Sequence, residues 1–167
     1  MDEGSNRVGV TYDEVFSALH DGVLRYAYLL VGDRDVAHDL DAEAFARMLV
    51  PWRKREVLHP EAYVRRVVVN LVRDRHRRGV SRLRREKQVA GPESLPAFEG
   101  ELADRSRLSD ALAALPTRQR AVVVLRFYES RSEQEIANLL GIRLGTVKST
   151  LSRALGRLRL TLGEEDS

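Results

Sequence analysis

Two groups of side chains in this 167-residue sequence could do chemistry, and in both the chemistry is recognition of an anion rather than bond making. Arg66, Asn70, Arg73 and Arg77 follow one another at spacings of four, three and four, which on a helix makes one stripe of donors. Guanidiniums at that spacing suit a nucleic-acid backbone, and an asparagine among them is able to address a base edge. Only Asp74 lies inside that stretch to pair with them, so the alternative of a solvated, self-neutralised face is the weaker one. The second group is Thr146, Lys148, Ser149, Ser152 and Arg153, again polar and basic on one side of a helical pattern. Nothing competes with these groups as a catalytic centre. There is no cysteine, hence no disulfide or thiolate metal site within the chain, and His20, His38, His59 and His76 are scattered without ligand spacing. No metal or cofactor is expected.

The elements that must position these groups read as helices throughout, so the fold expected is all-α: two small helical domains joined by a flexible linker. Ser132 followed by Glu135 is a capping box, Ile136, Ala137, Leu139 and Leu140 give an apolar face, and Gly141 ends the helix. After Ile142-Arg143-Leu144-Gly145 a second helix starts near Thr146, with Val147, Leu151, Ala154, Leu155 and Leu158 facing inward. Two short helices, a glycine turn and a small Ala137 at their approach make a helix-turn-helix whose second helix carries the recognition face. An ordinary helical hairpin is the alternative, and it leaves the agreement of cap, small residue and turn glycine to chance.

Upstream, Thr11 caps a helix over Tyr12 to Leu30, Gly32-Asp33 breaks it, and a second runs from Arg34 to Val50 with Asp35, Asp39, Asp41 and Glu43 on its surface. Pro51-Trp52-Arg53-Lys54-Arg55-Glu56 reads as a loop. Its tryptophan fits a core plug and a base-stacking platform equally well. The donor stripe sits on a helix from Glu61 to about Arg78, which buries Val64, Val67, Val68 and Leu71. Gly91-Pro92-Glu93-Ser94-Leu95-Pro96 then marks a flexible linker over 80–105. A C-terminal unit over 106–162 begins with Leu108, Ala111, Leu112 and Leu115, stops at Pro116, and continues from Thr117 with Val122, Val123, Leu125 and Phe127 inward and Arg118 and Arg120 outward.

Charge divides the same way. The net +3 combines residues 1–46, with ten acids and three bases, residues 47–87, with fourteen bases and four acids, and a balanced remainder. The basic middle expects a polyanion and the acidic start a basic partner. The opening Met1-Asp2-Glu3-Gly4 has no signal-peptide pattern and no apolar run is long enough to span a bilayer, so no membrane insertion and a cytoplasmic location are expected.

Leu115-Pro116 with Arg120, then Gly145-Thr146-Val147-Lys148-Ser149 and Ser152-Arg153-Ala154, resembles domain four of the extracytoplasmic-function sigma factors of bacterial RNA polymerase. Tyr28-Leu29-Leu30 with Gly32-Asp33, Ala37-His38-Asp39-Leu40, Glu43-Ala44-Phe45, Pro60-Glu61-Ala62-Tyr63 and Asn70-Leu71-Val72-Arg73-Asp74 resembles their domain two. The resemblance covers about residues 11–162 in the right order. It implies a promoter-specificity subunit, held off by an anti-sigma factor, that brings core polymerase to DNA. On these residues it implies that Asp35, Asp39 and Glu43 bind the largest polymerase subunits within a domain spanning 11–79. The same domain would use Trp52, Arg53, Lys54, Arg55, Tyr63, Arg66, Asn70, Arg73 and Arg77 to recognise and help melt the −10 element. The face of Thr146, Lys148, Ser149, Ser152 and Arg153 would read the −35 element. The chain departs from the family pattern at Ala42-Glu43-Ala44-Phe45, where Gln-Glu-Thr-Phe is common, and at Thr150, where an arginine is common; the second implies one phosphate contact fewer.

Two other classes fit the sequence less well. A stand-alone helix-turn-helix regulator leaves the acidic helix and the first basic helix without a task, and a helical nuclease lacks acids with metal geometry.

Overall fold

The structure is a computed structural model that describes residues 5–6, 9–79 and 102–163. Seven helices carry the described residues: α1 Tyr12–Val31, α2 Arg34–Arg53, α3 Pro60–Arg77, α4 Leu102–Ala114, α5 Thr117–Val123, α6 Glu133–Leu140 and α7 Leu144–Gly163. A π-helical turn, Val124–Tyr128, prolongs α5. The one extended pairing among the described residues joins Ser5–Asn6 to Val10–Thr11, so the expected all-α fold holds.

Local chemistry sets the helix ends. Thr11 and Glu14 close a capping box at the start of α1, and Gly32 ends it in the left-handed conformation at φ 70°. Asp33 accepts from the Val36 amide at 3.0 Å and starts α2. That helix runs on through Pro51 to Arg53, so Trp52 and Arg53 belong to its last turn rather than to a loop. Proline supplies no amide to the carbonyl four residues back. In this chain that carbonyl, Arg47 O, accepts instead from the Tyr63 hydroxyl on α3, at 3.4 Å. α4 begins at Leu102, inside the stretch read as linker, because 102–105 contain only good helix formers and aspartate and no proline or glycine. Residues 80–101, the rest of that stretch, lie outside the described residues.

α1, α2 and α3 pack on one another around Val23, Tyr26, Leu30, Met48, Val64 and Val68. α4, α5 and α6 pack on α7 around Val122, Leu125, Ile136 and Val147. The two cores are continuous, with α3 lying against α5 and α6. Phe127, read as inward, is 57% exposed. The wider π-turn rotates each following residue away from its α-helical position, which takes Phe127 off the buried face.

Candidate nucleic-acid and protein interfaces

The helix-turn-helix is built by the caps that the sequence shows. Ser132 Oγ accepts from the Glu135 amide at 3.1 Å and Glu135 accepts from the Ser132 amide at 2.7 Å. These bonds to Ser132 hold the Glu135 carboxyl below its ordinary pKa. Gly141 takes φ 66°, and α7 begins at Leu144, two residues before the expected Thr146. Lys148, Ser149, Ser152 and Arg153 are exposed on one side of α7 and Thr146 is half-buried beside them. Their outward face is a set of donors with no acid among them, which fits a groove lined by phosphates. Thr150 is buried toward the core, so in this fold its position does not belong to the outer face.

On α2, Asp35, Asp39 and Glu43 stand four residues apart and all are exposed, with Glu43 2.8 Å from Arg47. The surface role read for Asp41 fails: it is 3% exposed and lies 2.7 Å from His20 Nδ1. Spacing puts it on the α1 side of α2, where burial pushes its carboxyl pKa up and His20 offsets the shift. Trp52 is 3% exposed and meets Tyr12 edge to face at 6.0 Å between ring centroids. Of its two readings the structure selects the core plug: the ring has no free face on which a base could stack. Arg53, Lys54 and Arg55 are exposed around the turn that follows, where Arg55 takes a left-handed φ of 60°.

On α3, Asn70 and Arg77 are exposed, Arg73 and Tyr63 half-buried, and Asp74 sits 4.0 Å from Arg77. Arg66 is also on the outside of its own helix bundle, but it is engaged. Its Nε donates to Leu139 O at 3.0 Å and its Nη2 to Asn138 O at 2.7 Å, both at the end of α6. The fork thus caps the carbonyl end of another helix, where the macrodipole is negative. The stripe is continuous along α3, as its spacing requires, yet its first member faces the helix-turn-helix.

Three further arginines join the two halves, and spacing along the chain does not mark them. Arg65 is 3% exposed, 4.8 Å from the Tyr26 ring centroid, with Nη1 2.9 Å from Glu129 and Nε 3.2 Å from Glu61. Arg131 reaches Glu61 at 2.7 Å. Arg120, expected on the outside, is 4% exposed. Its guanidinium donates to Ala113 O at 2.6 Å, to Leu115 O at 3.0 Å, and to Leu30 O at the end of α1. Only the i, i+4 relation of Glu61 and Arg65 was available as a signal.

Comparison with known proteins follows the same division. The model for sigma-70 region 2 matches residues 15–82 and that for sigma-70 region 4 matches residues 105–158. The RNA polymerase sigma-E factor of Streptomyces coelicolor is 39% identical over 157 residues, 93% of this chain and 88% of that protein. The ECF RNA polymerase sigma factor SigL of Mycobacterium tuberculosis is 38% identical over 162 residues, 92% of this chain and 87% of that one. Among solved structures, the sigma factor RpoE of Bartonella quintana, crystallised with the anti-sigma factor NepR, superposes with a TM-score of 0.67. It is 22% identical and the match covers 91% of this chain and 96% of that one. CnrH, in its complex with the cytosolic domain of CnrY, gives a TM-score of 0.62 at 21% identity, covering 93% and 89%. These two likenesses concern the fold.

Proposed function

We propose, for a chain that belongs to the extracytoplasmic-function sigma factors of bacterial RNA polymerase, a division of labour between its two halves. As a sigma factor it directs core polymerase to specific promoters and assists DNA melting at initiation. No described helix is long and apolar enough to cross a membrane, and its place of work would be the cytoplasm, with the polymerase.

The observation that carries the division is the separation of charge on the surface: an outward row of acids on α2, Asp35, Asp39 and Glu43, with Arg47 paired to its last member, and a donor-only row on α7. The α2 row grips a basic surface on the largest polymerase subunits. Lys148, Ser149, Ser152 and Arg153, with Thr146 at the helix start, read the −35 element in the major groove. Arg53, Lys54 and Arg55, with Tyr63, Arg66, Asn70, Arg73 and Arg77 on α3, hold the −10 element. Trp52 supports that surface from beneath. Strand separation needs no bond chemistry in this scheme. A base held outside the stack favours the open state by its differential binding energy. An anti-sigma factor would compete for these faces, as a partner of the kind crystallised with the Bartonella quintana protein.

Run-off transcription with sigma-free core polymerase on genomic fragments tests the division. Asp39→Arg should abolish binding to core while leaving the fold intact, and Asn70→Ala should bind core normally but open promoters poorly. Lys148→Ala should weaken dependence on the −35 element by about 1 kcal/mol. Equal loss of core binding and opening in all three variants would overturn it. Silence with core polymerase alongside tight binding to duplex DNA would favour a stand-alone regulator.

A further inference from the structure

We infer that the cleft between α1 and α2 is an anchoring pocket for an arginine side chain of the partner that the acidic row of α2 grips, with the buried carboxylate of Asp41 as its counter-ion. The inference rests on the reading of that row as the surface that binds the polymerase subunits. The cleft has a volume of about 690 Å³ and is lined by Tyr12, Phe16 and His20 from α1 and by Asp39, Asp41 and Phe45 from α2. Asp41 belongs to its floor and not to the outer surface, being 3% exposed. One carboxylate oxygen, Oδ2, lies 2.7 Å from His20 Nδ1. The other, Oδ1, is buried and has no hydrogen-bond partner among the described residues. A carboxylate oxygen shut away from water without a donor is costly, and the cost is recovered when a donor arrives. With His20 on one oxygen, the cleft is the side from which a donor can reach the other.

The walls select the kind of donor. Phe16 stacks on His20 at 4.7 Å between ring centroids and meets Phe45 edge to face at 4.8 Å, so aromatic rings frame the carboxylate. A planar guanidinium can lie against such rings while its N–H groups turn to the acid. An ammonium is a more strongly hydrated point charge and gains less there. Continuity and charge identify the occupant. Asp39 stands both in the cleft and in the outward row with Asp35 and Glu43, so a basic surface laid along α2 brings its side chains to the mouth of the cleft. Asp13, exposed on α1, adds a further acid to the rim. The arginine that enters meets an acid that folding has already desolvated, which is where an interface gains most from a single residue.

Isothermal titration of the full chain into sigma-free core polymerase tests the pocket. Asp41→Asn keeps the shape and removes the charge, and should weaken core binding by about tenfold or more. His20→Gln leaves the carboxylate to the incoming guanidinium and should bind core at least as tightly as the wild type. A purely structural His20–Asp41 pair requires instead that the two variants lose affinity together, and that result would overturn the pocket. Asp13→Lys, at an exposed position, sets like charge on the rim and decides the matter if Asp41→Asn does not fold. It should weaken binding by about threefold or more relative to a charge-matched Asp110→Lys on α4. Wild-type affinity in Asp41→Asn, or in Asp13→Lys where that variant decides, counts equally against the pocket. Failure of the reading on which it rests would appear separately, as an Asp39→Arg protein that binds core as well as the wild type.

Discussion

Trp52 shows what a single side chain contributes once its surroundings are known. Buried between α1 and the end of α2, edge-on to Tyr12, it holds up the turn of Arg53, Lys54 and Arg55 instead of presenting its own face. Trp52→Ala should therefore cost about 3 to 5 kcal/mol of stability, seen as an early melting transition of the N-terminal half, with core binding and promoter opening lost together. Arg120 follows the same logic. Truncation to alanine leaves the carbonyls of Leu30, Ala113 and Leu115 without their donor inside the fold. The expected loss is about 2 to 4 kcal/mol in denaturant unfolding, and Arg118→Ala, exposed two residues away, should change little.

At the scale of the element, the helix-turn-helix owes its start to Ser132 and Glu135. Ser132→Ala should cost about 1 kcal/mol of stability in the C-terminal half. The sign of the pH dependence follows from the lowered pKa of Glu135: its contribution is complete above the ordinary carboxylate range and is lost as pH falls through the lowered value. The stability difference between wild type and Glu135→Ala should thus be full at neutral pH and vanish in acid, which thermal unfolding against pH would measure. These caps were legible in the sequence because a cap joins residues three apart and needs nothing else. Two other features of the elements were not legible. α2 passes through Pro51 because Tyr63, twelve residues on, takes up the carbonyl that the proline leaves without a donor. The π-turn at Val124–Tyr128, which turns Phe127 outward, has no marker in local composition.

For the whole molecule, charge is sorted by surface as it is by sequence. The acidic first segment supplies the outward row of α2, with Asp41 drawn inward to His20, and the basic middle segment supplies α3. The two halves could have been independent beads. They share a continuous core instead, bound by Arg65, Arg66, Arg120 and Arg131.

The capping boxes, the all-α class, the helix-turn-helix and the acidic and basic faces were determined by the sequence alone, since each depends on residue types at fixed offsets of one to four along a single helix. The fate of individual arginines was decided only by the tertiary structure. A guanidinium carries five donors on a long stem, and whether it meets solvent, a carboxylate or the bare carbonyl end of another helix depends on which helices lie opposite. Arg66 looks outward by spacing and is held by α6. Arg120 looks outward by spacing and is buried under α1.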